Sequence, residues 1–228
     1  MDPMIFDSIP WRLDLNEVLK TVRMDPADPD ASQVRRLIDA AWAIGRPKAL
    51  YREAFIEART DDTVTIDAVT FKSRILRVNL DHAQQVFAYL ATCGTELESW
   101  AAPLDDPLER YWADVIMDLA LRKALHFLNE RIADVVPHSK TSVMNPGSLR
   151  DWPITQQRPL FALIGSAAAR VGITLTESML MTPAKSVSGI RFPTDVRFEN
   201  CQLCPRNDCP NRRMPYDKEL YQRKYAKT

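Results

Sequence analysis

Three cysteines lie close together near the C-terminus, Cys201-Gln202-Leu203-Cys204 and then Cys209, in a C-x-x-C-x4-C spacing. Thiolates this close can share one metal ion or one iron–sulfur cluster, and a four-iron cluster normally takes four cysteines. The chain has one more, Cys93, which follows the apolar run 86–92. The four together define one candidate redox cluster. The same thiolates suit a structural zinc, three of them with His82 or His138 suit a metal as well, and unligated thiols are the remaining reading. Glu177 is the second chemical candidate. If residues 174–181 form a strand, Glu177 shares a face with Leu175, Met179 and Met181. A carboxylate there must pair or line a polar cleft, because burying it alone is costly. Downstream, Ser186, Ser188 and Gly189 are small enough for a ligand to approach the backbone, or they mark a bulge. Lys185 beside them stays solvated or meets a ligand carboxylate.

The elements that must position these groups are read from periodicity. Residues 15–59 read as mostly helical, with Val34, Leu37, Ile38, Ala41 and Trp42 at helical spacing. Residues 63–69 alternate as a strand, with Val64, Ile66 and Ala68 on one face, and 75–80 and 86–92 are further strand candidates. Asp106-Pro107-Leu108-Glu109 predicts a capped helix over 106–134, with Glu109 completing a capping box. A helix over 155–164 is stopped by Gly165, and a short Ala-rich helix ends at Gly172. The resulting class is α+β, with an antiparallel sheet flanked by helices. Three segments follow: a helical part over 1–60, an α+β domain over 61–200 and a Cys-containing basic tail over 201–228.

Composition narrows the function classes. Of 228 residues, 30 are Lys or Arg and 30 are Asp or Glu, which gives no general attraction to nucleic acid or anionic membrane. The basic excess of the tail suits a solvated terminus or a docking surface for an acidic partner. No apolar run approaches the roughly 20 residues of a membrane span. The opening MDPMIFDSIPW lacks the basic start of a secretory leader, so the expected compartment is the cytoplasm. No phosphate loop, dinucleotide fingerprint or nucleophile elbow is present, and no histidine pair has metal-ligand spacing.

The stretch 173–190, ITLTESMLMTPAKSVSGI, resembles the signature of the activation domain of cobalamin-dependent methionine synthase. The run 145–153, NPGSLRDWP, is similar to the family's Pro-Gly turn and to the Asp-Trp-Pro of its stand-alone relatives. The resemblance implies a C-shaped sheet that receives S-adenosylmethionine and faces a corrinoid. It implies that Asn145, Pro146, Gly147, Ser148, Trp152, Lys185, Ser186, Ser188 and Gly189 line the cofactor side, with Glu177 accepting from a ligand or orienting water. The activity implied is reactivation of a corrinoid-dependent methyltransferase whose cobalt has been oxidised to cobalt(II). Its partners would be that corrinoid protein and an electron donor, either the chain's own iron–sulfur cluster or an external flavodoxin or ferredoxin. The alternative is a non-catalytic docking or corrinoid-binding module with a structural zinc. One departure matters. The family motif runs Arg-x-x-Pro-Gly-Tyr, with the arginine gripping the S-adenosylmethionine carboxylate, and here those end positions are Val143 and Ser148. A valine offers no fork for a carboxylate, so the resemblance does not carry S-adenosylmethionine binding over to Val143.

Overall fold

A computed structural model describes residues 2–137, 139–209 and 212–226; His138, one of the alternative ligands, lies outside them. At the centre is an open seven-stranded sheet whose neighbours are all antiparallel. β1 (Met4–Phe6) and β3 (Thr63–Ile66) share one edge of the long β2 (Lys48–Arg59), and β4 (Val69–Lys72) extends β3. β5 (Gln85–Thr92) takes the other edge of β2, β9 (Ser186–Pro193) pairs with β5, and β6 (Thr141–Met144) ends the row. β7 (Thr174–Leu175) and β8 (Met181–Thr182) form a separate small hairpin.

Alternation along the strands divides the core in two. Val86, Ala88 and Leu90 of β5 face one side, with Leu50, Ala54, Ile190 and Phe192. That side is covered by α3 (Arg74–Asn79), α6 (Gln157–Ile164) and α7 (Ala167–Arg170). Phe87, Tyr89 and Ala91 face the other side with Ala49 and Tyr51. There α1 (Leu15–Val22), α2 (Ala31–Ile44), α4 (Thr95–Ala101) and α5 (Pro107–Val135) pack. The N-terminal helices therefore share a core with the sheet. Among the described residues no helix is long and apolar enough to cross a membrane.

The capped helix appears as expected: the Asp106 side chain accepts from Leu108 N and Glu109 N, and Pro107 takes the first position. Glu109 differs in detail, since its side chain accepts from Gln33 of α2. Three expectations are corrected. Residues 48–59, read as helical, are β2, because strands on both edges saturate its backbone and tertiary pairing overrides propensity. Residues 75–80, read as a strand, are mostly α3. Ser73 Oγ accepts from Leu76 N at 3.0 Å, and Asp151 Oδ2 accepts from Ile75 N at 2.7 Å. The long strand over 63–69 is instead a hairpin: Val64 and Ile66 are buried, while Ala68 sits in the turn at φ 63°.

Candidate functional site

β6 stops at Met144 and the chain turns through 145–148. Asn145 Nδ2 donates to Tyr89 Oη and to Ser188 O, each at 2.8 Å. Ser148 Oγ donates back to Asn145 O at 2.6 Å, and Gly147 N donates to Trp152 O at 2.7 Å. Gly147 needs its positive φ of 86°, and a Cβ there would stand 2.9 Å from Ile154. Gly189 answers a different demand. A Cβ on it would lie 2.7 Å from both Asn145 Nδ2 and Tyr89 Oη, so only glycine lets this bridge cross β9. On the opposite face Ser188 Oγ donates to Gln157 Oε1 of α6 at 2.7 Å, in full burial. The fold thus brings Asn145, Pro146, Gly147, Ser148, Ser188 and Gly189 into one neighbourhood.

Two further side chains belong to it. Burial raises the Tyr89 phenol above its ordinary value, a shift that the hydrogen bond from Asn145 and the nearby Arg191 reduce. Arg191 of β9 stands directly across from Val143 in the sheet. Its Nη1 donates to Thr141 Oγ1 at 2.7 Å and its Nη2 to Asn129 Oδ1 of α5, while Nε is buried with no partner among the described residues. Burial holds its pKa below the usual guanidinium value.

Lys185 and Ser186 lie at the other end of β9. Lys185 Nζ is engaged by Asp114 Oδ2 at 2.8 Å, and its carbonyl accepts from Cys93 N. Ser186 Oγ donates to Thr92 Oγ1 at 2.9 Å. Neither joins the neighbourhood of the 145–148 turn. Glu177 is placed differently from its expectation. It sits exposed in the turn between β7 and β8, because Thr176 Oγ1 accepts from Leu180 N and Met179 takes φ 66°, which ends the strand early. Among the described residues it makes no hydrogen bond or ion pair. Trp152 is fully buried against Phe71, and Asp151 beside it holds Ser73 and the start of α3. The Asp-Trp-Pro run therefore serves packing, and Trp152 presents no surface to a cofactor.

The four-thiolate cluster is an expectation the structure does not meet. Cys93 is fully buried on the α5 side of the sheet, and burial pushes its thiol up to about 12. The tail runs elsewhere: Leu203 packs on the α6 side, and the carbonyls of Cys201, Cys204 and Arg206 accept from Arg212. Among the described residues no three His, Cys, Asp or Glu side chains converge as a metal site, so Cys93, Cys201, Cys204 and Cys209 do not form one ligand set, and neither does any set with His82. What fixes the tail is Glu199, buried between Arg197 at 2.7 Å and Arg213 at 3.5 Å.

With this geometry in place, residues 149–201 match the family model described as vitamin B12 dependent methionine synthase, activation domain. Over that segment, about a quarter of the chain, the sequence is similar to the activation-domain family. The matched segment covers α6, α7, the β7–β8 hairpin and β9, and begins just past the 145–148 turn. Among solved structures, the chain is similar to the MetH reactivation domain bound to AdoHcy, with a TM-score of 0.61 at 15% identity. That alignment covers 87% of this chain and 81% of the other, and at such identity it speaks for the fold. No curated protein matches the chain.

Tyr89, Gln157 and Arg191 do not stand out in the sequence as site residues. Arg191 carries a signal, a lone charge between Ile190 and Phe192 in a strand otherwise apolar or small. Tyr89 is hidden in an apolar run, and Gln157 is one of two adjacent glutamines with nothing to distinguish it.

Proposed function

We propose that this chain reactivates a corrinoid-dependent methyltransferase. It covers the corrinoid carried by a partner protein once the cobalt has been oxidised to cobalt(II), and supports its return to the methylated state. One electron from a donor reduces cobalt(II) to cobalt(I). The cobalt(I) electron pair then takes the methyl group from the sulfonium of S-adenosylmethionine, leaving S-adenosylhomocysteine. The chain's residues contribute binding and placement, and the corrinoid supplies the difficult chemistry. The observation that carries this reading is the family segment itself. Its SVSG strand lies between β5 and β6, where Gly189 and Ser188 touch Asn145 at the open turn.

The electron donor in this reading is external, a flavodoxin or a ferredoxin. The test is a single-turnover assay without air. A corrinoid methyltransferase in the cobalt(II) state is mixed with the chain, reduced flavodoxin and S-adenosylmethionine labelled in its methyl group. Label appearing on the corrinoid only when the chain is present supports the proposal. Equal labelling with and without the chain refutes it.

A further inference from the structure

Arg191 is a cation in a core strand that, among the described residues, forms no ion pair. Its neighbours Ile190 and Phe192 are fully buried on the α6 side, so its own side chain passes to the α5 side. There both of its hydrogen-bonded acceptors, Thr141 Oγ1 and Asn129 Oδ1, are neutral, and Nε has none. Glu199, the acid that acts on it, is already held by Arg197 and Arg213. Among the described residues Arg191 forms no ion pair. Those two arginines act on Arg191 as like charges, and Tyr89 and Glu199 oppose them. Arg191 as a whole is half-buried, with Nε enclosed, and a guanidinium in that position without an ion-pair partner is a place where a ligand can supply the charge.

The surroundings specify what kind of anion fits. The Tyr89 phenol feels the Arg191 charge, and its oxygen accepts from Asn145. No acceptor for its own proton lies among the described residues. A planar group with two oxygens would take the guanidinium on one and the phenol on the other. The site adjoins the 145–148 turn, and Arg191 faces Val143 across the β6–β9 ladder. We infer that Arg191, with Tyr89, is the carboxylate anchor for the amino-acid end of an S-adenosyl ligand, reaching the site from β9 where position 143 supplies only a valine. This inference rests on the S-adenosylmethionine step of the proposed function.

The experiment is calorimetric titration of the full chain with S-adenosylmethionine and with its decarboxylated form, which keeps the sulfonium, the amine and the nucleoside. The wild-type chain is expected to prefer the carboxylated ligand by about tenfold to a hundredfold. Arg191→Met is expected to abolish that preference, and the exchange V143R with R191M to restore a large part of it. Equal affinity of the wild-type chain for the two ligands, or binding of neither, overturns the inference without any variant having to fold. A preference that survives in R191M overturns it as well. The single-turnover assay separates this result from the wider reading. Labelling of the corrinoid without carboxylate preference removes the anchor alone. Carboxylate preference without labelling removes the proposed function and leaves the anchor standing.

Discussion

The two ends of β9 treat their polar side chains in opposite ways. At the Ser186 end every group is matched inside the protein: Lys185 with Asp114, Ser186 with Thr92, and Cys93 N with the Lys185 carbonyl. At the Arg191 end, among the described residues, a guanidinium has only neutral acceptors, one of its N–H groups has none, and a phenol has its proton to offer. The sheet is continuous between them, so the difference does not come from local disorder or from a break in pairing. It comes from what surrounds each end. The Ser186 end is closed by α4 and α5 side chains of suitable charge, whereas the Arg191 end meets amides, hydroxyls, two further arginines and the Glu199 that those arginines already hold. An internally satisfied polar end is structural, and an end with donors left over is built to be completed by something else.

That contrast can be broken or sharpened in graded steps. The largest effect is expected beneath the turn. Trp152→Ala should reduce unfolding stability in urea by about 3–5 kcal/mol, since it empties a fully buried indole site. A loss below about 1 kcal/mol would mean Trp152 is free to serve a ligand. Gly189→Ala should come next, at about 1–3 kcal/mol, because the added Cβ collides with Tyr89 and Asn145. It should also abolish nucleoside-ligand binding in calorimetry, whereas a change that spared binding would detach the bridge from the site.

Cys93 gives a pH-dependent step. Its folded value of about 12 lies above the ordinary thiol value of 9, so the folded state holds the proton more tightly. The associated stability is complete below pH 9 and falls as pH rises towards 12, by roughly 1.4 kcal/mol per unit. Cys93→Ala should flatten that alkaline fall in denaturant titrations. A fall of equal slope in the variant would place its origin elsewhere. The smallest stability effects separate the two ends most cleanly. Lys185→Met and Arg191→Met should each change stability by less than about 1 kcal/mol, the first because a half-exposed ion pair is worth little, the second because it removes an unpaired charge. Only the Arg191 variant should alter ligand affinity, and equal losses in both would erase the distinction between the ends.

Much of the scaffold is legible in the sequence, and the reasons are local. Asp106 and Pro107 announce α5 within four residues, and the unbroken apolar run of β5 reads as a buried strand. The misread elements depend on distant partners. β2 carries Ala, Leu, Glu and Arg, all good helix formers, and becomes a strand because β1, β3 and β5 claim its backbone. α3 starts where Asp151 reaches Ile75 N from another loop, a contact with no trace in the local pattern. Simple alternation gives Glu177 a strand face, but Thr176 turns the chain before alternation can apply. At the site, the glycine and the Pro-Gly turn are visible because their residue types are distinctive. The joint role of Arg191 and Tyr89 is not, since it exists only once β6, β9 and β5 lie side by side.

The most direct test of the central contrast is amide chemical-shift mapping of the nitrogen-labelled chain titrated with S-adenosylhomocysteine. The account predicts shifts concentrated at 145–148 and 188–191, with the Cys93, Lys185 and Ser186 amides unmoved. Shifts centred on Lys185 and Ser186, or on the cysteines of the tail, with 188–191 silent, would contradict it.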